Sequence, residues 1–278
     1  MGIVFAFCCL FCSAVNDFLF KLVTEKKTSR GYFMALVGLL SFLALLLVQG
    51  KWQDPKATIV WGLIGGFFSL TANILLIDAM SRQSAGICST IYRLNLVAVV
   101  LGAYFFLGEK LNMSLIIGLV CATAAVLCFL GGGNEEGGKN ALLGTVLVIL
   151  ASLLRACMGL TYKYGFSHAA DPDGVALITC GIWIAGGIFY AAVKGEIRTG
   201  FSFRLLRLGV ISGLLVGAIV YFMAKSVALG NVSIVIPIAQ MSFIGTFLLS
   251  ILFLKEKINF AKLAGIILGV AGIILLSR

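Results

Sequence analysis

Long apolar runs separated by short polar gaps make up nearly the whole chain. The runs lie at approximately 2–22, 31–48, 58–79, 85–107, 113–130, 141–163, 174–193, 206–228, 232–254 and 260–276. Each has roughly the 17–25 residues that cross a bilayer as an α-helix. The gaps carry turn and helix-stop signals, such as Lys26, Lys27 and Arg30, Pro55 between Lys51 and Lys56, and Asp171-Pro172-Asp173-Gly174. The alternating pattern of membrane strands is missing, and hydrocarbon offers backbone groups no partners, so helices are the spanning elements. The pattern predicts an all-α integral membrane protein of ten transmembrane helices.

The runs form two sets of five. The Gly-rich stretch from Gly131 to Gly138 reads as a linker at mid-chain, dividing units at 2–131 and 139–278. Leu107-Gly108-Glu109-Lys110-Leu111-Asn112 closes the fourth run and Leu254-Lys255-Glu256-Lys257-Ile258-Asn259 closes the ninth, at an offset of 147 residues. At that offset Gly118 matches Gly265 and Ala124 matches Ala271, while Phe20-Lys21 matches Tyr162-Lys163 at a slightly smaller one. A repeat that follows an odd number of spans enters the membrane upside down. Inverted repeats of this kind are a common construction of secondary transporters, with the solute site near midplane.

Composition agrees with the hydropathy and removes other classes. Of 278 residues, 61% are hydrophobic and 12% charged, against about 45–50% and about 25% in soluble domains. The net charge of +10 is scattered over loops and makes no basic stripe, which argues against a nucleic-acid partner. The eight cysteines all sit inside apolar runs and read as small packing residues, and no metal or cofactor is expected. The first run has neither a basic n-region nor a cleavage site and reads as a retained span. One histidine, His168, cannot assemble a hydrolytic triad, and no phosphate-cradling loop is present, so neither an enzyme nor a primary pump is expected.

The segment from Val220 to Ser277 resembles the second repeat of the EamA family, in the drug/metabolite transporter superfamily. The features that carry this are Tyr221, Ala228, Pro237 in mid-span, Leu254-x-Glu256-Lys257, and the glycine-spaced last span with Gly265, Gly269 and Gly272. The first half repeats the motif at Leu107 to Leu111, and departs where Thr90 faces Pro237 and Arg93 faces Gln240. The resemblance implies ten helices, a cavity lined by spans 1, 3, 4, 6, 8 and 9, and alternating access. It also implies a bacterial inner-membrane location. Members move amino acids, nucleotide-linked metabolites, polyamines or toxic compounds.

Intramembrane charges normally face a cavity or a partner. Arg93, beside Tyr92 in span 4, and Arg155 in span 6 both lie near midplane, and Gln240 takes the place of Arg93 in the other half. Two guanidinium groups on one cavity favour an anionic group on the solute, since their forks pair with carboxylate or phosphate. The structural alternative is that an arginine pairs with Asp17 or helix-end carbonyls and holds the halves together. Asp17 stands one turn from Lys21, where a local ion pair is open to it, and as an intramembrane carboxylate it is also a candidate for coupling or gating by proton relay. Asp78 and Lys225, near span ends at matching positions, are gating candidates or snorkelling charges. Helical spacing places Asn16 with Ser13 and Phe20, Asn73 with Ser69, Tyr162 with Arg155, and Tyr221 with Gly217 on common faces. Trp183, deep in span 7, offers a stacking surface on one reading; ordinary packing is the preferred one.

These residues point to a secondary transporter of a small polar or charged metabolite. An integral-membrane transferase and a lipid-binding protein without a transport cycle are the alternatives. The partners expected are a small-molecule solute and the bilayer; a monomer suffices, and a homodimer stays open. Loops on the N-terminal side carry Lys51, Lys56, Lys110 and Arg278, against twelve Lys and Arg opposite, which predicts termini outside the cytoplasm.

Overall fold

The computed structural model describes residues 1–24, 28–47, 50, 52–107, 112–132, 138–196, 202–229, 235, 238–256 and 259–276. Helix accounts for almost all of them, and no strand occurs among the described residues. The first half contains α1 (Gly2–Thr24), α2 (Arg30–Leu46), α3 (Pro55–Met80), α4 (Ala85–Arg93), α5 (Asn95–Leu107) and α6 (Met113–Gly132). The second contains α7 (Gly138–Ser167), α8 (Pro172–Val193), α9 (Phe203–Leu229), α10 (Ser242–Leu254) and α11 (Phe260–Leu276). Five stretches are long and apolar enough to cross a membrane: Gly2–Thr24, Pro55–Met80, Asn140–Ser167, Pro172–Val193 and Phe203–Met223. Five shorter apolar helices accompany them, at Arg30–Leu46, Ala85–Val99, Met113–Cys128, Ile238–Leu254 and Phe260–Leu275. The linker residues 133–137, the motif residues Glu109, Lys110 and Lys257, and Pro237 lie outside the described residues.

Helix starts follow the capping chemistry of the loops. Asp54 before Pro55 and Asp171 before Pro172 each accept two backbone N–H bonds and open α3 and α8. Ser29 and Ser84 cap α2 and α4 in the same way. The fourth run differs from a single helix. It breaks at Leu94, whose φ of −74° and ψ of 7° leave the α-helical region. Met241 has almost the same angles, φ −73° and ψ 7°, at the 147-residue offset. Just ahead of the first break, the hydroxyls of Thr90 and Ser89 both bond back to the Gly86 carbonyl, a competition that bends helices.

Equivalent helices of the two halves pack against each other in opposite directions. Gly31 at the start of α2 meets Gly187 and Ala191 near the end of α8, and Gly38 meets Cys180 and Trp183 a turn or two back. The Ser114 hydroxyl at the start of α6 donates to the Leu275 carbonyl at the end of α11, and Gly272 packs on Ala122. The cross-pairs obey the same relation. Span 1 runs along span 8, with Asn16 bonded to Ser212 and Cys9 to the Ile219 carbonyl, while span 3 runs along span 6, with Gly65 against Tyr162 and Trp61 against Gly165. Exchanging the halves reproduces each contact class, so the repeats are related by inversion.

The core lies between these pairs, filled by buried Phe20, Phe33, Met34, Leu76, Ile77 and Phe243. The outward faces carry exposed apolar side chains such as Phe11, Phe67, Phe189 and Leu252, which in water would have no partner and in lipid need none.

The α2–α8 contact brings backbone against backbone between the halves. A Cβ added at Gly31 would sit 2.5 Å from the Gly187 oxygen, and one at Gly187 would sit 2.6 Å from the Gly31 oxygen. Close backbone approach through small residues is how helices associate where water does not drive them together. Gly31→Ala or Gly187→Ala should therefore destabilise the protein in detergent by about 1–3 kcal/mol, the range for overpacking. Gly181→Ala, on the same α8 but with no atom within 4 Å, should leave stability unchanged or raise it by about 0.5–1 kcal/mol. Thermal unfolding of the three purified variants separates the two outcomes.

Candidate functional site

Seven helices surround a cavity of about 270 Å³ at mid-depth. Ser13, Asn16, Asp17 and Phe20 come from α1, Ser69 and Asn73 from α3, and Tyr92 and Arg93 from the last turn of α4. Arg155, Met158 and Tyr162 come from α7, with Ser41 and Leu45 from α2, Thr179 and Trp183 from α8, and Val216, Gly217 and Val220 from α9. Each set repeats at three or four residues, so one face of each helix supplies the wall.

The charges are unevenly satisfied. Arg93 donates to Asp17 at 2.9 Å, joining the end of α4 to the middle of α1, with both side chains largely shielded from solvent. Arg155 has no carboxylate within ion-pair distance among the described residues. Its guanidinium lies 5.9 Å from the Tyr92 ring centroid and 3.5 Å from the Met158 sulfur. The Tyr92 hydroxyl and the Arg93 Nε are buried without a hydrogen bond. Most neutral polar groups of the wall are already engaged. Asn16 Oδ1 accepts from Ser212 at 2.5 Å, Asn73 donates to the Ser69 carbonyl at 2.8 Å, Trp183 donates to Ser69 Oγ at 3.2 Å, and Tyr162 shares a 2.6 Å bond with Thr179. Among the described residues no three His, Cys, Asp or Glu side chains converge on a point that could hold a metal.

The cavity is one-sided. Its wall reaches Leu45 and Ala176, beside the helix ends at Leu46 and Pro172, which lie at the same end of the bundle as the N-terminus. Toward the opposite end it stops at Phe20, which is fully buried and packs edge-on against Phe33. Below Phe20 a polar layer binds the helices together. The Lys21 ammonium donates to the carbonyls of Met80 at 2.6 Å and Gln83 at 2.9 Å, closing the end of α3 against α1. Asp78 pairs with Arg30 and approaches Arg82. Glu196 accepts from the Ser29 hydroxyl and the Gly31 N–H, and Glu256 accepts from the Ala85 N–H at 2.9 Å. Carboxylates at helix N-termini and an ammonium at a C-terminus complement the helix dipoles. The Glu of the repeated motif thus caps the fourth span of the other half.

The structure brings six of the expected solute-binding residues together: Asn16, Asn73, Tyr92, Arg93, Arg155 and Tyr162. Gln240 and Tyr221 stand apart from that wall, Tyr221 being 48% exposed near the end of α9 with Lys225 5.7 Å over its ring. Asp17 bonds Arg93, leaving Lys21 to the α3 carbonyls, and Asp78 belongs to the polar layer at the closed end. Spans 2 and 7 enter the wall, and none of the described residues of span 9 does. The Thr246 hydroxyl of α10 donates to the Ala14 carbonyl. Ala14 lies roughly 110° around α1 from the centre of the cavity face, at about 100° per residue. Ser41 and Thr179 are wall residues that the sequence reading does not name, and Trp183 is one it assigns to packing; Thr179 and Trp183 share one face of α8 at i, i+4, in a helix whose other positions are mostly apolar or glycine.

A family model described as the EamA-like transporter family matches the chain twice, over residues 1–131 and 142–278. No curated protein matches the chain. Among solved structures, a chain described as "Crystal structure of protein" is 16% identical, with a TM-score of 0.64, over 99% of this chain and 95% of that one. At that identity the likeness speaks for the fold alone. The doubled match over nearly the full length, on two inverted helical repeats around one cavity, places this protein in the EamA-like transporter family.

Proposed function

We propose that the protein is a secondary transporter of a small polar or charged solute, crossing the membrane ten times and working by alternating access. One observation supports this most: a polar, charged cavity at mid-depth between inverted halves, reaching one end of the bundle and sealed at the other. The loop-charge bias supports an orientation in which the accessible end faces away from the cytoplasm. Counterflow of a labelled solute in proteoliposomes tests the reading; a product chemically altered by the protein, with no accumulation, would defeat it.

Inverted symmetry supplies the other conformation. If the halves exchange shapes, each contact at the sealed end passes to its partner at the open end. Phe20-Lys21 corresponds to Tyr162-Lys163, and the end of α3 to the end of α9. Tyr162 becomes the floor of a cavity facing the opposite way, and Lys163 binds the last carbonyls of α9, closing the end that is now accessible.

Two outcomes follow. Hydrogen bonds to a charged group contribute about 1.5–3 kcal/mol each, so Lys21→Ala should shift the conformational balance roughly tenfold or more toward the opposite opening. In a background without the eight native cysteines, a thiol reagent should then label Leu76→Cys faster and Val220→Cys slower, while Lys163→Ala should do the reverse. Equal responses to the two lysine variants would contradict the exchange. Separately, Arg93→Ala and Arg155→Ala should each reduce the thermal stabilisation given by any metabolite that binds, and Lys225→Ala should not.

A further inference from the structure

From the state of satisfaction of the cavity's polar groups we infer its solute class: a monoanion carrying a carboxylate on a compact apolar body, in preference to a zwitterion or an amine. This rests on the transporter reading and specifies its cargo. Three ionic side chains face the cavity, Asp17, Arg93 and Arg155. Asp17 and Arg93 neutralise each other at 2.9 Å, so one positive charge, on Arg155, is left without a carboxylate. Arg155 is partly buried, and a partly shielded intramembrane charge with no carboxylate beside it among the described residues leaves the cavity short of one negative charge.

The idle polar atoms agree with the charge count. The Arg93 Nε–H can only donate, the Arg155 guanidinium can only donate, and the Tyr92 hydroxyl is free to donate. Tyr92 and Arg93 are consecutive, and Arg155 lies over the Tyr92 ring, so these donors form one cluster. A carboxylate accepts from several donors at once and fits that cluster. An ammonium would need Asp17, and taking it would strand Arg93 in the same site. A zwitterion gains the contact with Arg155 but must bury its ammonium at that cost.

The remainder of the wall describes the body of the solute. Phe20, Met158, Trp183, Val216 and Val220 are apolar, and the Trp183 indole is held in place by its bond to Ser69. The volume of about 270 Å³ falls near the small end of ligand pockets, which suits one ring or a branched chain.

Three probes of matched skeleton test the inference in proteoliposomes of the full chain: phenylpropionate, phenylalanine and phenethylamine. Phenylpropionate should exchange saturably, with a half-saturating concentration at least about tenfold below that of phenylalanine, and phenethylamine should not compete. Arg155→Gln should erase the preference for the anion, Arg155→Lys should retain it with weaker binding, and Arg155→Glu should favour the amine. Should the glutamate variant fail to fold, the wild-type ranking and the lysine–glutamine pair still decide. Preferential exchange of phenylalanine or phenethylamine overturns the anion assignment while leaving the transporter reading in place. Failure of all three to exchange or to raise the melting temperature overturns the carboxylate assignment, while the transporter reading is decided separately by the counterflow test.

Discussion

Hydrocarbon provides no hydrogen bonds, and nearly every feature of this molecule follows from that. Backbone groups close on themselves as helices, and helix ends that cannot reach water must find partners inside the protein. The layer below Phe20 meets this need, with Lys21 on the last carbonyls of α3, Glu196 on the first N–H groups of α2 and Glu256 on the start of α4. Each of these side chains comes from a different helix or loop than the one it caps. Satisfying helix ends and sealing one end of the cavity are therefore the same set of bonds, and a conformational change that opens this end must re-satisfy them elsewhere. Lys163 in the second half is the residue that matches Lys21 for that role.

The same constraint separates what could be read in the chain from what could not. Apolar length and periodicity located the helices: the run at 31–48 became Arg30–Leu46 and that at 260–276 became Phe260–Leu276. The inverted relation was legible because two offsets near 147 recur and five is odd. The break at Leu94 was not, since no proline or glycine adjoins it; it comes from Thr90 and Ser89 competing for a backbone carbonyl, a contact that spacing alone does not rank. Within the site, periodicity put Asn16, Asn73, Arg155 and Tyr162 on the inner faces of their helices. It could not tell that Arg93 would spend its charge on Asp17 while Arg155 kept its own, because pairing depends on which helices are neighbours. Tyr221 shows the complementary failure. It follows Gly217 by four residues, but at that depth Ile219 and Val220 complete the wall and the Tyr221 ring is left 48% exposed.

Symmetry of the backbone and asymmetry of the chemistry have different jobs here. The breaks at Leu94 and Met241 have almost the same angles and stand at equivalent positions of the two halves, where each half would hinge under the proposed alternating access. Only the first hinge carries a charge next to it: Arg93, where the second half has Gln240. Because Arg93 is tied to Asp17, the ion pair couples the α4 hinge to α1, the helix that carries both the cavity floor and Lys21. A carboxylate drawn to Arg155 would arrive beside Tyr92, against this pair, and would share the donors of Arg93. Occupancy of the cavity would then act directly on the link between hinge and floor, and under the proposed alternating access this would give solute a differential contact with the two conformations. Without such a difference, binding alone could not drive a change of shape.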